Sequence, residues 1–229
     1  MLDQLIRPGL FAEPIAADME RMNFDYHNEA VLFLKAKPDF VFIGDSITQY
    51  WDLPLFFGRD KLLINRGIGG DIPKFILKRF DADVLQLKPE YCVFMAGTNC
   101  AHDLENNIWV GMKAKPFETV VEGTIASIIA VINYALEHQQ KIIVGAIPPA
   151  IIPSGDRRNE MILLVNAAIK QYCERNEIIY VDYHSALLDK KTEMMRQDCT
   201  TDGIHPDSRG FLIMTKTLKD TLAQHNIEI

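Results

Sequence analysis

Five short stretches in which nearly every position is apolar, and in which β-branched or aromatic residues dominate, alternate along the chain with longer segments of helical periodicity. The stretches cover residues 40–43, 62–64, 91–95, 142–147 and 178–181. A strand that is apolar at both odd and even positions has both faces buried, the condition of a parallel sheet covered by helices on either side. Between the strands, Val121, Ile125, Ile128, Ile129, Ile132 and Leu136 form one stripe at three- and four-residue spacing, and Ile162, Val165, Ile169 and Tyr172 form another. Phe211, Met214, Leu218 and Leu222 add a C-terminal stripe. Strand alternating with helix predicts an α/β protein, a single three-layer α/β/α sandwich on a parallel five-stranded sheet.

Composition and charge narrow the function classes. With 229 residues, 48% of them hydrophobic and 24% charged, the chain has enough apolar material for one core, and disorder, collagen and coiled coil are excluded. The 31 acidic residues outnumber 24 basic ones for a formal charge of −7, which opposes a phosphate-binding surface, so nucleic acid is not an expected partner. Cys92, Cys100, Cys173 and Cys199 are widely separated, with no CxxC pair, which indicates neither a disulfide framework nor a zinc site and fits a reducing compartment. The N-terminal stretch carries acidic residues where a signal peptide is apolar, and no run approaches about 18 apolar residues. A cytoplasmic protein without membrane insertion is expected. Residues 1–36 read as a mostly helical arm, broken near Pro8 and Gly9 and packed on the domain formed by residues 37–229.

In an open parallel sheet, ligands bind beyond the carboxyl ends of the strands. The residues there are Gly44, Asp45 and Ser46 after the first strand, Asn65 to Asp71 after the second, and Gly97, Thr98 and Asn99 after the third. Beyond the fifth, after a longer loop, comes Asp202-Gly203-Ile204-His205-Pro206. Ser46 stands where a helix starts, favourable to developing negative charge but also a common capping position. A serine hydroxyl becomes a nucleophile only when a base takes its proton, and of the six histidines His205 has a carboxylate, Asp202, three residues before it in a tight loop. Ser46, His205 and Asp202 thus form a candidate triad. An oxyanion formed on attack needs fixed donors: the Ser46 N–H, the Gly70 N–H in a turn with Asp71 as expected N-cap and Pro73 in the following helix, and the Asn99 amide.

The blocks GDSITQYW, NRGIGGD, GTN and DGIHP, in this order, resemble those of the SGNH or GDSL serine hydrolases of esterase, lipase and acylhydrolase type. The resemblance spans roughly residues 38 to 222 and implies a flavodoxin-like fold. It also implies Ser46 as nucleophile, Ser46, Gly70 and Asn99 as the oxyanion hole, and Asp202 and His205 as the rest of the triad. Two departures stand out: GDSI where many members have GDSL, and Cys100 where an acidic residue often follows the asparagine. The resemblance implies the reaction type, ester hydrolysis, and not the substrate. The cytoplasmic reading and the lack of an apolar lid segment point to a small-molecule ester with a short acyl or acetyl group, and with no metal-ligand spacing in the sequence neither a metal nor a cofactor is expected. A homodimer is an expectation from family habit. The alternatives on the same fold are a non-catalytic module binding a carbohydrate or lipid head group, and an acyltransferase using the same triad.

Other conspicuous residues have plainer readings. GxGxxG fails because Ile72 takes its last position, and no P-loop occurs. Asp45 reads as a loop organiser or helix cap. Trp51, Leu53, Phe56 and Phe57 read as core before acyl pocket, His102 and Asp103 as solvated loop residues, and Arg157 with Arg158 as a solvated helix start beside Asp156 and Glu160.

Overall fold

The structure is a computed structural model that describes residue 6 and residues 17–106, 113–152 and 156–229. In chain order its main elements are α1 (Ala17–Phe33), β1 (Phe40–Gly44), α2 (Ser46–Gln49), α3 (Leu53–Phe57), β2 (Leu63–Gly67), α4 (Pro73–Asp83) and β3 (Tyr91–Met95). They continue with α5 (Phe117–Glu137), β4 (Ile142–Gly145), α6 (Arg158–Arg175), β5 (Ile179–Val181), α7 (Tyr183–Leu187), the short hairpin β6 (Leu188–Asp189) and β7 (Met194–Met195), and α8 (Ser208–Ala223). Strands β1 to β5 form one parallel sheet in the order β2-β1-β3-β4-β5. That is the flavodoxin-like order, and its direction of winding reverses between β1 and β3.

The two-residue periodicity of the strands sorts their side chains into two cores. Val41, Ile43, Cys92, Phe94, Ile142 and Val144 face α1, α4, α5 and α6. Phe40, Phe42, Val93, Met95 and Ile143 face α7 and α8, together with Ile47, Trp51 and Leu53 from α2, α3 and their junction. The C-terminal stripe of Phe211, Met214, Leu218 and Leu222 is buried throughout. In α5 the expected stripe holds at Val121, Ile128 and Ile132, but in the last turn Ala135 takes the buried position and Leu136 is 41% exposed.

Strand β2 runs to Gly67 rather than ending at residue 64. Its polar Asn65 and Arg66 hid the extension, and both are held by hydrogen bonds that no apolar pattern announces. β4 ends at Gly145, two residues short of the expected 147. By length and composition α5 could cross a membrane, which no uninterrupted apolar run discloses because Thr124, Ser127 and Asn133 divide its apolar residues. Here Val120, Val121, Ile128, Val131, Ile132 and Ala135 pack in the core, and the helix lies against α4 and α6. Of the N-terminal arm, α1 lies on α4, with Val31 in the core and Asn28 Nδ2 donating to Ala82 O at 3.0 Å. The expected break at Pro8 and Gly9 lies outside the described residues.

Candidate active site

The carboxyl end of β1 turns directly into α2. Asp45 caps that turn, its carboxylate accepting from Ile47 N at 3.0 Å, and Ser46 follows as the first helical residue, 6% exposed. Gly44 is required here: a Cβ would come within 2.2 Å of Thr48 Oγ1 and 2.3 Å of Met95 O. Gly67 is equally constrained, since a Cβ would lie 2.1 Å from Gln49 N. The absence of side chains at these two positions lets α2 fold back over the ends of β1, β2 and β3.

Polar side chains sew the turn to its neighbours. Asn65 donates to Thr48 O at 2.7 Å and Trp51 O at 3.0 Å, and Gln49 Oε1 accepts from Gly69 N at 2.7 Å. The loop after β2 is thereby held beside Ser46, close enough that a Cβ on Gly69 would sit 3.9 Å from Ser46 Cβ. Gly70 follows with φ +78°, a left-handed backbone that suits glycine, and it is exposed. Neither its N–H nor that of Ser46 is engaged by a described residue. Asn99 lies in the turn after β3, and its Nδ2 donates one hydrogen to Asp71 O at 3.0 Å, the second having no partner among the described residues.

Asp71 is not the cap of α4. Ile72 occupies that position without a side-chain bond, while the buried Asp71 carboxylate accepts from Ile72 N at 3.0 Å and Arg79 Nε at 2.8 Å. Arg79 competes for the carboxylate more strongly than the helix terminus does, because a buried charge needs a counter-charge.

Opposite this loop, the segment before α8 brings His205 to Ser46. His205 Nε2 lies 2.8 Å from Ser46 Oγ, and Nδ1 lies 2.6 Å from Asp202 Oδ2. With Nδ1–H donating to the carboxylate, Nε2 is left as acceptor for the serine hydroxyl. Asp202 Oδ1 accepts from the backbone N–H of His205 at 2.8 Å and of Ile204 at 2.9 Å. Partial burial works to raise the Asp202 pKa, but the bonds from the His205 ring and backbone and from Ile204 outweigh it and hold the carboxyl well below its usual range. Asp45 behaves oppositely: fully buried and near Asp71, it is pushed up to about 7 despite the Ile47 bond. The exposed Tyr50 ring rests 5.1 Å from the His205 ring. Among the described residues no group of three or more His, Cys, Asp or Glu could hold a metal ion.

The plainer residues divide. Trp51 and Leu53 are core, the indole donating to Thr215 Oγ1 at 3.2 Å, and Phe56 and Phe57 pack partly buried against them. Asp103 pairs with Lys115 at 2.7 Å. Arg157 pairs with Glu160 in solvent, as a helix start would, but Arg158 does not follow: it is 4% exposed and donates to Thr98 O at 3.4 Å. The residues that sequence reasoning passed over are Arg66, Arg79 and Asp83, buried on the inner side of β2 and α4. Their one signal is that Arg79 and Asp83 stand one turn apart on the same helix that buries Ile76 and Phe80.

Residues 42–212 match the profile of the GDSL-like lipase/acylhydrolase family, a span that holds Ser46, Gly70, Asn99, Asp202 and His205. The chain belongs to this family. A GDSL-like lipase from Bacteroides thetaiotaomicron is 26% identical, with a TM-score of 0.75 over 92% of this chain and 100% of that one. A Bacteroides fragilis protein described as a candidate acylhydrolase is 29% identical, with a TM-score of 0.74 over 93% and 99%. An acetylxylan esterase from Geobacillus stearothermophilus shares the GDSL-family fold at 17% identity, with a TM-score of 0.64 over 80% and 93% of the two chains. No protein of curated function matches the sequence. Family membership and the two Bacteroides neighbours support hydrolase activity for the chain.

Proposed function

We propose that the protein is a carboxylic ester hydrolase working through an acyl-enzyme on Ser46. The observation that carries this reading is the pair of hydrogen bonds joining Ser46 Oγ to His205 Nε2 at 2.8 Å and His205 Nδ1 to Asp202 at 2.6 Å. His205 takes the Ser46 proton as Oγ attacks the acyl carbonyl, and Asp202 stabilises the imidazolium that forms. The carbonyl oxygen becomes an oxyanion received by the N–H groups of Ser46 and Gly70 and the second Nδ2–H of Asn99. Collapse expels the alcohol, which collects its proton from His205. Water then repeats the sequence, deprotonated by His205, and the carboxylic acid leaves with Ser46 restored. No step calls on a metal or cofactor.

The substrate we infer is a small, soluble ester with a short acyl group. Hydrolysis of p-nitrophenyl acetate, butyrate and octanoate by the wild type and by Ser46→Ala tests both points. The expected result is turnover that falls with chain length and is lost in Ser46→Ala by about 10⁶ in kcat. Equal rates in both proteins would overturn the serine mechanism, and saturable ligand binding with no turnover would favour a binding module.

A further inference from the structure

Behind the proposed oxyanion hole lies a layer of buried charge that the reaction described above does not use. Arg79, fully buried, sends Nε to Asp71 Oδ2 at 2.8 Å, one terminal nitrogen to Arg66 O at 2.9 Å and Asp83 Oδ2 at 2.9 Å, and the other to Gly44 O at 3.1 Å. Apart from Asp83 on α4, those partners are the backbone two residues before Ser46, the carboxyl end of β2, and the residue that follows Gly70 and whose carbonyl holds Asn99. One rigid guanidinium fork therefore touches the segments carrying two of the three proposed oxyanion donors, Ser46 and Gly70, and reaches the third, Asn99, through Asp71.

The fork is itself fixed from α1, which lies outside the span matching the family. Arg21, 3% exposed, pairs with Asp83 Oδ1 and with Asp25 at 2.5 Å. Asn28, fully buried, accepts from Arg66 at 2.6 Å and 3.2 Å and donates to Ala82 O at 3.0 Å. Three arginines thus face Asp25, Asp71 and Asp83, so the layer is balanced in charge, as buried ions must be. A stability role alone calls for no contact with catalytic loops, and hydrophobic residues often stabilise such a layer as well.

We propose that Arg79 is a positioning residue for the oxyanion hole, and that α1 belongs to the active-site machinery through Arg21 and Asn28. The inference rests on the oxyanion assignment made above. Donors aimed at a transition-state charge must be placed to a fraction of an ångström, and displacing one segment by about 1 Å costs about a hundredfold. Arg79→Lys keeps the charge but has fewer donors and no planar fork, and Asn28→Ala removes the acceptor that holds Arg66.

The test is steady-state hydrolysis of p-nitrophenyl acetate, with kcat expressed per Ser46 titrated by a fluorophosphonate and folding followed by circular dichroism. Wild-type turnover is read first: if it is absent and Ser46 is not labelled, the hydrolase reading fails and this inference falls with it. With an active wild type, Arg79→Lys should lower kcat per titrated serine by about tenfold to a hundredfold while KM stays within roughly twofold. Asn28→Ala should show a smaller loss of the same kind, and it decides the matter should Arg79→Lys not fold. A lower melting temperature with kcat per titrated serine unchanged in the folded variants would make the layer purely structural and overturn the proposal.

Discussion

The two halves of the site flank Ser46 and are held by different physics. On one side, the segment carrying Asp202 and His205 is partly exposed and braced by its own neighbours. Asp202 takes its bonds from residues two and three positions away, Gly203 N donates to Thr200 Oγ1 at 3.0 Å, and Thr200 pairs with Pro206 in an isolated bridge. Ile151 N, donating to Gly203 O at 2.6 Å, ties this loop to the segment that follows β4. On the other side, the loop carrying Gly70 and the turn carrying Asn99 lean on Asp71 and Arg79, whose partners are drawn from β1, β2 and α4. A group that must accept and return a proton gains from contact with water and short local bonds. A group that supplies fixed dipoles gains from burial, where nothing reorganises during the reaction.

The contrast is sharpest at Asp202. Asp202→Asn should lower kcat by about 10⁴, because the amide holds the imidazole in the wrong tautomer. Its melting temperature should stay close to that of the wild type, since the side chain is 53% exposed. Thermal melts alongside turnover check this, and a large stability loss would show that the loop is not self-supporting.

Asn99→Ala addresses the other half. It removes a proposed oxyanion donor and the bond to Asp71 O, and kcat should fall by about 10²–10³ with KM little changed. An unchanged kcat would remove Asn99 from the oxyanion hole and leave the buried side with a structural role at that point.

The smallest effect concerns pH and stability at Asp45. Burial and nearby Asp71 place its folded pKa at about 7, above its ordinary 3.8, so the native state holds that proton more tightly than the unfolded chain. The resulting stability is fully present below about 4 and is lost as pH rises through about 7. Asp45→Asn keeps an oxygen for Ile47 N and removes the titration, so its melting temperature should decline less between pH 4 and 8 than that of the wild type. Parallel pH profiles in the two proteins would show that Asp45 is ionised at low cost in the native state.

Legibility in the sequence followed distance along the chain. The five strands were visible because burial on both faces writes an apolar run, and Asp202 with His205 because three residues separate them. The ends of β2 and the role of Asp71 were not visible. Arg66 and Asp71 are polar residues whose burial depends on partners up to 38 residues away, and nothing in their own neighbourhood marks them. The burial of Arg158 is hidden from the sequence for the same reason, its place against Thr98 being set by how α6 meets the turn after β3.

The sequence by itself determined the α/β class, the order of strand and helix, and the blocks that place this chain in the GDSL-like family, because periodicity and short motifs are local properties. Only the tertiary structure decided that α1 touches the same buried layer as the loops around Ser46, and that Arg79 joins them. A buried charge is tolerable only where partners from several segments converge, and that convergence exists only once the chain is folded.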